Sequence, residues 1–134
     1  MLRALPRLLL CLALCLSLLA PCLAQDFPAG GSLTPEQGNA LVSGRAGKGL
    51  TILDVRTPRE FAAGHAPGAL HIPVDELIDR ASEVPDGPVL IVCRSGRRAK
   101  NAAEMLLRQG RSPEGLWYLS GYADYSKGGV RFHD

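Results

Sequence analysis

One cysteine and three arginines lie close together in residues 89–100, VLIVCRSGRRAK. Four apolar residues precede Cys93, a pattern typical of a buried strand, and a helical pattern begins about five residues after it. A loop between a strand and a helix turns its backbone N–H groups inward and forms an anion site at the helix N-terminus. Arg94, Arg97 and Arg98 add positive charge, and such surroundings stabilise a thiolate. We therefore expect Cys93 to be a nucleophile.

The rest of this loop suits the binding of an anion. Ser95 and Gly96 are residue types that permit the turn, and Gly96 does so because it can adopt positive φ. The adjacent arginines stand at the helix end where the macrodipole favours anions, which is an unfavourable place for an ordinary solvated cationic patch. We predict that the substrate binds to Arg94, Ser95, Gly96, Arg97 and Arg98. The alternative is an inert cysteine that acts as a small buried hydrophobe.

The other reactive side chains point to no further catalytic group. The three histidines, His65, His71 and His133, lie in no recognisable catalytic motif, and we expect His65 to hydrogen-bond the backbone of its own turn. Their spacing fits no metal site, and the sequence implies no metal or organic cofactor. A thiolate held by amides and arginines needs no partner base. That leaves attack on a sulfur, phosphorus or arsenic atom carried by a small anion.

The first 24 residues have the order of a secretory signal peptide. Two arginines and no acid occupy residues 1–7, an apolar run of 13 residues follows at 8–20, and small residues precede a cleavage site after Ala24. The run is shorter than the roughly 20 residues that span a bilayer. We therefore expect a periplasmic or secreted protein with no stable membrane insertion after cleavage. The alternative, a lipidated Cys22, is disfavoured by Pro21 directly before it.

Charge and cysteine content narrow the class further. Cleavage removes Arg3 and Arg7, so 13 of the 15 basic side chains remain against 13 acidic ones. This neutrality argues against a nucleic-acid partner, which usually requires a basic excess. Cys93 is the one cysteine after residue 24, so it cannot form a disulfide within the mature chain. The length suits a single domain, which we expect to be a monomer.

Strands and helices alternate along residues 34–134, after a loose arm at 25–33. This alternation predicts an α/β domain with a small, mostly parallel sheet and helices on both faces. Ligands bind at the carboxyl ends of strands in such sheets, and Cys93 stands at one. Trp117 is expected in the core, as is one face of the helix after Cys93: Ala99, Ala102, Ala103, Leu106 and Leu107. The predicted strands are 50–55, 68–73, 89–92 and 115–121; the predicted helices are 35–43, 57–64, 73–84, 97–110 and 122–129.

Three segments, in order and at matching spacing, resemble the rhodanese (thiosulfate sulfurtransferase) family. They are LDVRTPREFAAGHAPGALHIP at 53–73, VCRSGRRA at 92–99 and LSGYADY at 119–125. A short domain behind a signal peptide is similar to the periplasmic members induced by phage-shock stress. Ala66, Ser120 and Tyr125 depart from the family pattern, where a branched aliphatic residue, a glycine and a tryptophan are common.

The resemblance implies a rhodanese-like fold and a reaction. A Cys93 thiolate would take the outer sulfur of thiosulfate or a similar anionic donor, and the resulting persulfide would pass it to cyanide or a thiol. Arg97 and Arg98 would attract the donor and stabilise the departing sulfite, with Arg98 matching the family's motif arginine. The first segment implies a structural network of three charged residues, Asp54, Arg56 and Glu60.

Loop length separates this reaction from its relatives. The related phosphatases and arsenate reductases have five residues between cysteine and arginine, a loop that fits a tetrahedral oxyanion. Here four residues separate Cys93 from Arg98, as in the sulfurtransferase form. A non-catalytic binding module is a further alternative, disfavoured by the intact cysteine and arginines. A sulfur carrier that receives its persulfide from another protein stays open.

Overall fold

The computed structural model describes residues 27–45, 47–126 and 128–134. The expected signal peptide, its cleavage site and the start of the predicted arm lie outside these ranges. Within them, no helix has the length and apolar character needed to cross a bilayer.

A five-stranded parallel sheet forms the centre of the domain. Its strands are β1 (Gly31–Leu33), β2 (Thr51–Asp54), β3 (Leu70–His71), β4 (Val89–Val92) and β5 (Leu116–Leu119). Their order is β1-β5-β4-β2-β3, and every neighbouring pair is parallel. The predicted α/β class and parallel sheet are therefore confirmed. Because β4 lies in the middle, the residue after it has strand ends on both sides.

The remaining elements cover the sheet. The helices are α1 (Pro35–Arg45), α2 (Pro58–Ala62), α3 (Arg97–Arg108) and a 3-10 turn (Ala81–Glu83), and an antiparallel hairpin pairs β6 (Tyr122–Asp124) with β7 (Arg131–His133). Thr57 caps α2, within the helix predicted over 57–64, and Pro58 occupies its first turn.

Strand β4 is buried on both faces, as its unbroken apolar sequence predicts. Successive side chains point to opposite faces, so the strand contributes to two separate cores. Val89 and Ile91 pack in the core that contains the alanines of α3. Leu90 and Val92 pack in the other core, with residues of α1, β5 and β7. Trp117 belongs to this second core, as predicted, and is 5 % exposed.

The helix predicted over residues 73–84 is wrong. The segment forms successive turns and then the 3-10 turn, with the Glu76 amide bonded to the Pro73 carbonyl and the Leu77 amide to the Val74 carbonyl. Leu77 is buried, but Ile78 beside it is 52 % exposed. The apolar residues that suggested a helix are thus arranged in turns that bury one leucine, and the segment lacks a continuous series of helical hydrogen bonds.

The chain ends also differ from prediction. Residues 122–129 were expected to form a helix, but 122–124 are strand β6 and Gly128 turns the chain at φ +70 toward β7. Residues 31–33, expected in the loose arm, form edge strand β1. In both cases tertiary pairing outweighs local preference. Leu107, expected on the buried face of α3, is 40 % exposed.

Close packing of α1 gives a stability prediction with a matched control. A Cβ at Gly38 would lie 2.8 Å from Leu119 Cδ1 and 2.8 Å from Phe132 Cδ2, whereas a Cβ at Gly44 in the same helix would contact nothing within 4 Å. We expect Gly38→Ala to destabilise by roughly 0.5–2 kcal/mol, because overpacking outweighs the gain in helix propensity. Gly44→Ala should stabilise by roughly 0.4–1 kcal/mol. Denaturant unfolding of both variants measures this, and equal shifts would contradict it.

Candidate active site

The central position of β4 sets the place of the cysteine. Cys93 follows β4 directly, between the end of β2 and the end of β5. The Val55 amide donates to the Val92 carbonyl at 3.1 Å, which extends the β2–β4 ladder to the residue before Cys93. Cys93 is 1 % exposed and is a free thiol. The structure therefore places a buried sulfur at the carboxyl edge of a parallel sheet, where such sheets bind ligands.

Gly96 closes the loop over this sulfur. Its amide donates a hydrogen bond to Cys93 Sγ at 3.0 Å, and its φ is +87, in the left-handed region. A Cβ there would lie 2.9 Å from the Leu119 carbonyl oxygen, a contact that backbone atoms cannot relieve. Glycine is therefore required at this position for both conformation and space. Helix α3 begins at the next residue, so its N-terminal end lies beside the sulfur.

Arg98, the motif arginine, is held by a carboxylate. Its Nη1 and Nη2 atoms lie 2.7 and 2.8 Å from the two oxygens of Glu60, in a bidentate pair. The same carboxylate accepts hydrogen bonds from the amide and hydroxyl of Thr57, at 3.0 and 2.9 Å, and so completes the cap of α2. The Arg98 guanidinium lowers the pKa of Glu60 to about 2, helped by the Thr57 bonds and opposed by burial.

This pairing revises two expectations. Arg98 was the stronger candidate for contact with the donor anion, but its charge faces Glu60 and it ties α3 to α2. Glu60 was expected in a network with Asp54 and Arg56. Those two do form a buried pair, with Arg56 Nη2 2.7 Å from Asp54 Oδ2, while Glu60 pairs with Arg98 across 38 residues of sequence.

The Asp54–Arg56 pair fixes the loop after β2. Asp54 is fully buried and accepts from the Arg56 amide as well as from its guanidinium. Arg56 Nη2 also donates to the Gly64 carbonyl at 2.7 Å, which binds the far end of α2 to the same point. A buried ion pair of this kind needs every polar atom satisfied, and the carbonyl provides the extra acceptor.

The other loop side chains point to solvent. Arg94, Ser95 and Arg97 are exposed, and neither Arg94 nor Arg97 forms an ion pair with another described residue. Their positive charges are therefore available at the surface beside the buried sulfur, as anion attraction requires.

Two histidines serve the loop structure. His65 and His71 stack on opposite sides of Phe61, with ring centroids 3.8 and 4.1 Å away. The Nδ1 atom of His65 lies 2.9 Å from the Phe61 carbonyl, and Nε2 of His71 lies 2.8 Å from the Arg56 carbonyl. The predicted backbone role of His65 is confirmed. Among the described residues, no group of three histidine, cysteine or carboxylate side chains could hold a metal ion.

Tyr125 contacts Arg56, although from the sequence it was noted only as a departure from the family pattern. The Arg56 guanidinium carbon lies 4.0 Å from the centre of its ring, a cation–π contact. Its sequence position, 32 residues from Cys93, gives no signal of this contact. The departure from the family's tryptophan was the available clue.

A cavity large enough for a small ligand lies away from this site. An apolar cavity of about 330 Å³ lies between α3 and the β1–β5 edge, lined by residues such as Lys100, Leu107 and Tyr118. It includes no residue of the Cys93 loop. The candidate site is therefore marked by its chemistry and not by cavity size.

Known proteins are similar to this chain in sequence. Residues 38–127 match the model of the rhodanese-like domain. The chain is 44 % identical over 62 residues to the putative sulfur carrier protein YrkF of Bacillus subtilis, which covers 46 % of this chain and 34 % of that protein. It is 39 % identical over 82 residues to the thiosulfate sulfurtransferase GlpE of Pseudomonas entomophila, covering 60 % of this chain and 71 % of the relative.

Solved structures agree with the fold. A rhodanese-like domain protein of Staphylococcus aureus superposes with a TM-score of 0.57 at 30 % identity, over 69 % of this chain and 86 % of the other. The sequence match to YrkF, by contrast, spans only about a third of that protein's length.

The Glu60–Arg98 pair generates a pH prediction. The pKa of Glu60 is lowered from 4.5 to about 2, so its pairing stabilises the fold fully above pH 4.5 and is lost as pH falls through about 2. Glu60→Gln can keep the cap of α2 but not the charge. We expect it to cost about 1 kcal/mol at pH 7, a modest value because both side chains are 30 % exposed. The difference from wild type should shrink as pH falls from about 5 to about 2.

Denaturant unfolding at several pH values measures this difference. Glu83→Gln is the matched control, because it makes the same substitution in a pair with Arg80 that is more exposed to solvent. A difference for Glu60→Gln that does not change with pH would contradict the assigned role.

Proposed function

The chain belongs to the rhodanese-like family, and we propose that it is a sulfurtransferase that carries sulfane sulfur on Cys93. One observation carries the proposal: the Cys93 sulfur is buried at the start of α3, accepts the Gly96 amide at 3.0 Å, and precedes its motif arginine by five positions. The sulfurtransferase named among the relatives supports the same chemistry.

The reaction has two balanced steps. The Cys93 thiolate attacks the outer sulfur of thiosulfate; a sulfur–sulfur bond forms to Sγ, the sulfur–sulfur bond of thiosulfate breaks, and sulfite leaves with the bonding electron pair. Cyanide, or a thiolate, then attacks the outer sulfur of the persulfide. Thiocyanate, or a new persulfide, departs and the Cys93 thiolate is regenerated. The electrons balance within each step, so no metal or redox cofactor is required.

The residues of the Cys93 loop have different roles in this reaction. The amide of Gly96 and the start of α3 stabilise negative charge on the sulfur. Arg94 and Arg97, exposed beside it, attract the anionic donor and oppose the charge of the leaving sulfite. Arg98 acts through position, since its pair with Glu60 holds the first turn of α3 against α2.

A sulfur carrier is the second candidate. The relative YrkF is named a putative sulfur carrier, and a carrier would use the same Cys93 persulfide but receive it from another protein. The two roles differ in the donor: an enzyme is charged by free thiosulfate, and a carrier is not. The phosphatase and arsenate reductase alternatives remain disfavoured by the four-residue spacing between Cys93 and Arg98.

We also propose that the domain works outside the cytoplasm, after cleavage behind Ala24. The support is the basic, apolar and small-residue order of residues 1–24. Expression of the full chain followed by intact mass measurement tests the cleavage, and a product that begins at Gln25 is expected. A product that begins at Cys22 and carries lipid would replace cleavage after Ala24 with lipoprotein processing.

The persulfide is the direct test of the proposed function. Incubation of the protein with thiosulfate should add the mass of one sulfur atom to Cys93. Subsequent cyanide should remove it and release an equal amount of thiocyanate. Cys93→Ser should form neither product, because its hydroxyl cannot store sulfane sulfur. Intact mass spectrometry and thiocyanate determination provide the two measurements.

Further variants separate the roles within this assay. Arg97→Ala should slow sulfur uptake several-fold at low salt and less at high salt, because exposed charges are screened. Charging by a protein persulfide but not by thiosulfate would favour the carrier. Cys93-dependent hydrolysis of an aryl phosphate, without persulfide formation, would contradict sulfur transfer.

A further inference from the structure

The hydroxyl of Tyr125 is buried and has no hydrogen-bond partner among the described residues. A buried hydroxyl without a partner is unfavourable, and native proteins rarely retain one. The ring itself is well held: the Arg56 guanidinium lies on its face, and a Cβ at Gly64 would be 3.4 Å from the Tyr125 Cβ. The phenol is thus fixed in place with its polar end unused.

The phenol lies beside the candidate site, because its ring contacts Arg56 and the strand end before Arg56 pairs with the strand end before Cys93. Burial raises the pKa of Tyr125, and the negative charge of Asp54 raises it further; Arg56 opposes them, while Cys93 and Glu60 add to the increase. All four charged neighbours belong to the site or to the loops that support it. The phenol therefore remains neutral at physiological pH and keeps a proton that it can donate toward negative charge near Cys93.

We propose that the Tyr125 hydroxyl donates a hydrogen bond to the sulfur atom that Cys93 carries during the reaction. This inference rests on the proposed function. The Gly96 amide already bonds to Sγ, and a second sulfur attached to Sγ adds negative charge that can accept a further donor besides the amides of the loop. The unused hydroxyl, buried on a ring that contacts Arg56, is a group of the right chemistry to supply it.

The consequence is a hydrogen bond made in one state of the protein only. In the thiol form the hydroxyl has no partner among the described residues. In the persulfide form it binds the outer sulfur, where negative charge resides. An interaction present in one state shifts the equilibrium toward that state. Tyr125 therefore favours the charged intermediate without taking part in bond making, as a positioning residue for the transferred atom.

Tyr125→Phe tests this with minimal disturbance, because it keeps the ring on Arg56 and removes only the hydroxyl. The persulfide form is mixed with increasing sulfite, which returns the sulfur as thiosulfate, and the remaining persulfide is measured by intact mass. The variant should lose half of its persulfide at a sulfite concentration about five- to tenfold lower than wild type. Tyr122→Phe, at an exposed tyrosine, is the matched control and should behave as wild type.

A structural role alone predicts a different result. The thiol form of Tyr125→Phe should melt at the same temperature as wild type or higher, because the lost hydroxyl had no partner there. The sulfite midpoint should still fall. An unchanged midpoint in a folded Tyr125→Phe variant would overturn the proposal while leaving persulfide chemistry intact. Failure of wild type to form a persulfide would overturn the proposed function and this inference together.

A spectroscopic measurement applies even if Tyr125→Phe does not fold. Formation of the persulfide should change the near-ultraviolet absorption of one tyrosine, because a phenol that gains an acceptor shifts its spectrum. The change should persist in Tyr118→Phe and Tyr122→Phe, the two other tyrosine positions. Its loss in either of these variants, or its absence in wild type that carries the persulfide, would contradict the assignment to Tyr125.

Discussion

The carboxylate of Glu60 joins the two loops on which the site depends. It completes the cap of α2 through Thr57 and grips the Arg98 guanidinium in the first turn of α3. Helix α2 follows β2, and helix α3 follows β4. The sheet fixes the positions of the two strands, but it does not fix how closely the two helices approach each other. Since the loop over Cys93 ends at α3, its shape depends on a contact made by a residue 33 positions earlier. The side chain of Glu60 thus connects the two segments that border the candidate site.

Arginine serves three purposes around this site, according to its surroundings. Arg56 is buried, paired with Asp54, and supports the loop after β2. Arg98 is half-buried and positions a helix. Arg97 is exposed and keeps its charge for a ligand. The sequence shows three identical side chains, and only the distribution of acidic partners in space separates structure from recognition.

Local signals predicted the parts of the fold that are decided locally. The apolar run of β4, the alanine face of α3 and the cap at Thr57 need no distant partner to be recognised. The same holds for the Cys93 loop, whose residue types and spacing indicate its chemistry. The helices predicted at 73–84 and 122–129 were wrong because the conformation of these segments depends on packing and pairing with other elements. Phe132 shows this well: its backbone amide and carbonyl both bond to the side chain of Asn39, a contact across 93 residues.

The place of Cys93 at a strand end was predictable from the sequence, and the contacts around it were less so. Cys93 and Gly96 lie in one short segment, so spacing alone relates them. The pair of Glu60 with Arg98 and the contact of Tyr125 with Arg56 depend on the packing of separate loops. Helical or strand periodicity carries no information on such contacts, since they join irregular segments that meet at the end of the sheet.

The burial of Cys93 has a consequence for chemistry between molecules. A disulfide requires Cβ atoms about 3.8 Å apart, and a cysteine that is 1 % exposed beneath its own loop cannot offer that approach to a second folded chain. With the sulfur this deeply buried, any donor or acceptor can reach it only when the loop moves. The closed loop thereby shields the thiol from accidental crosslinking between folded chains.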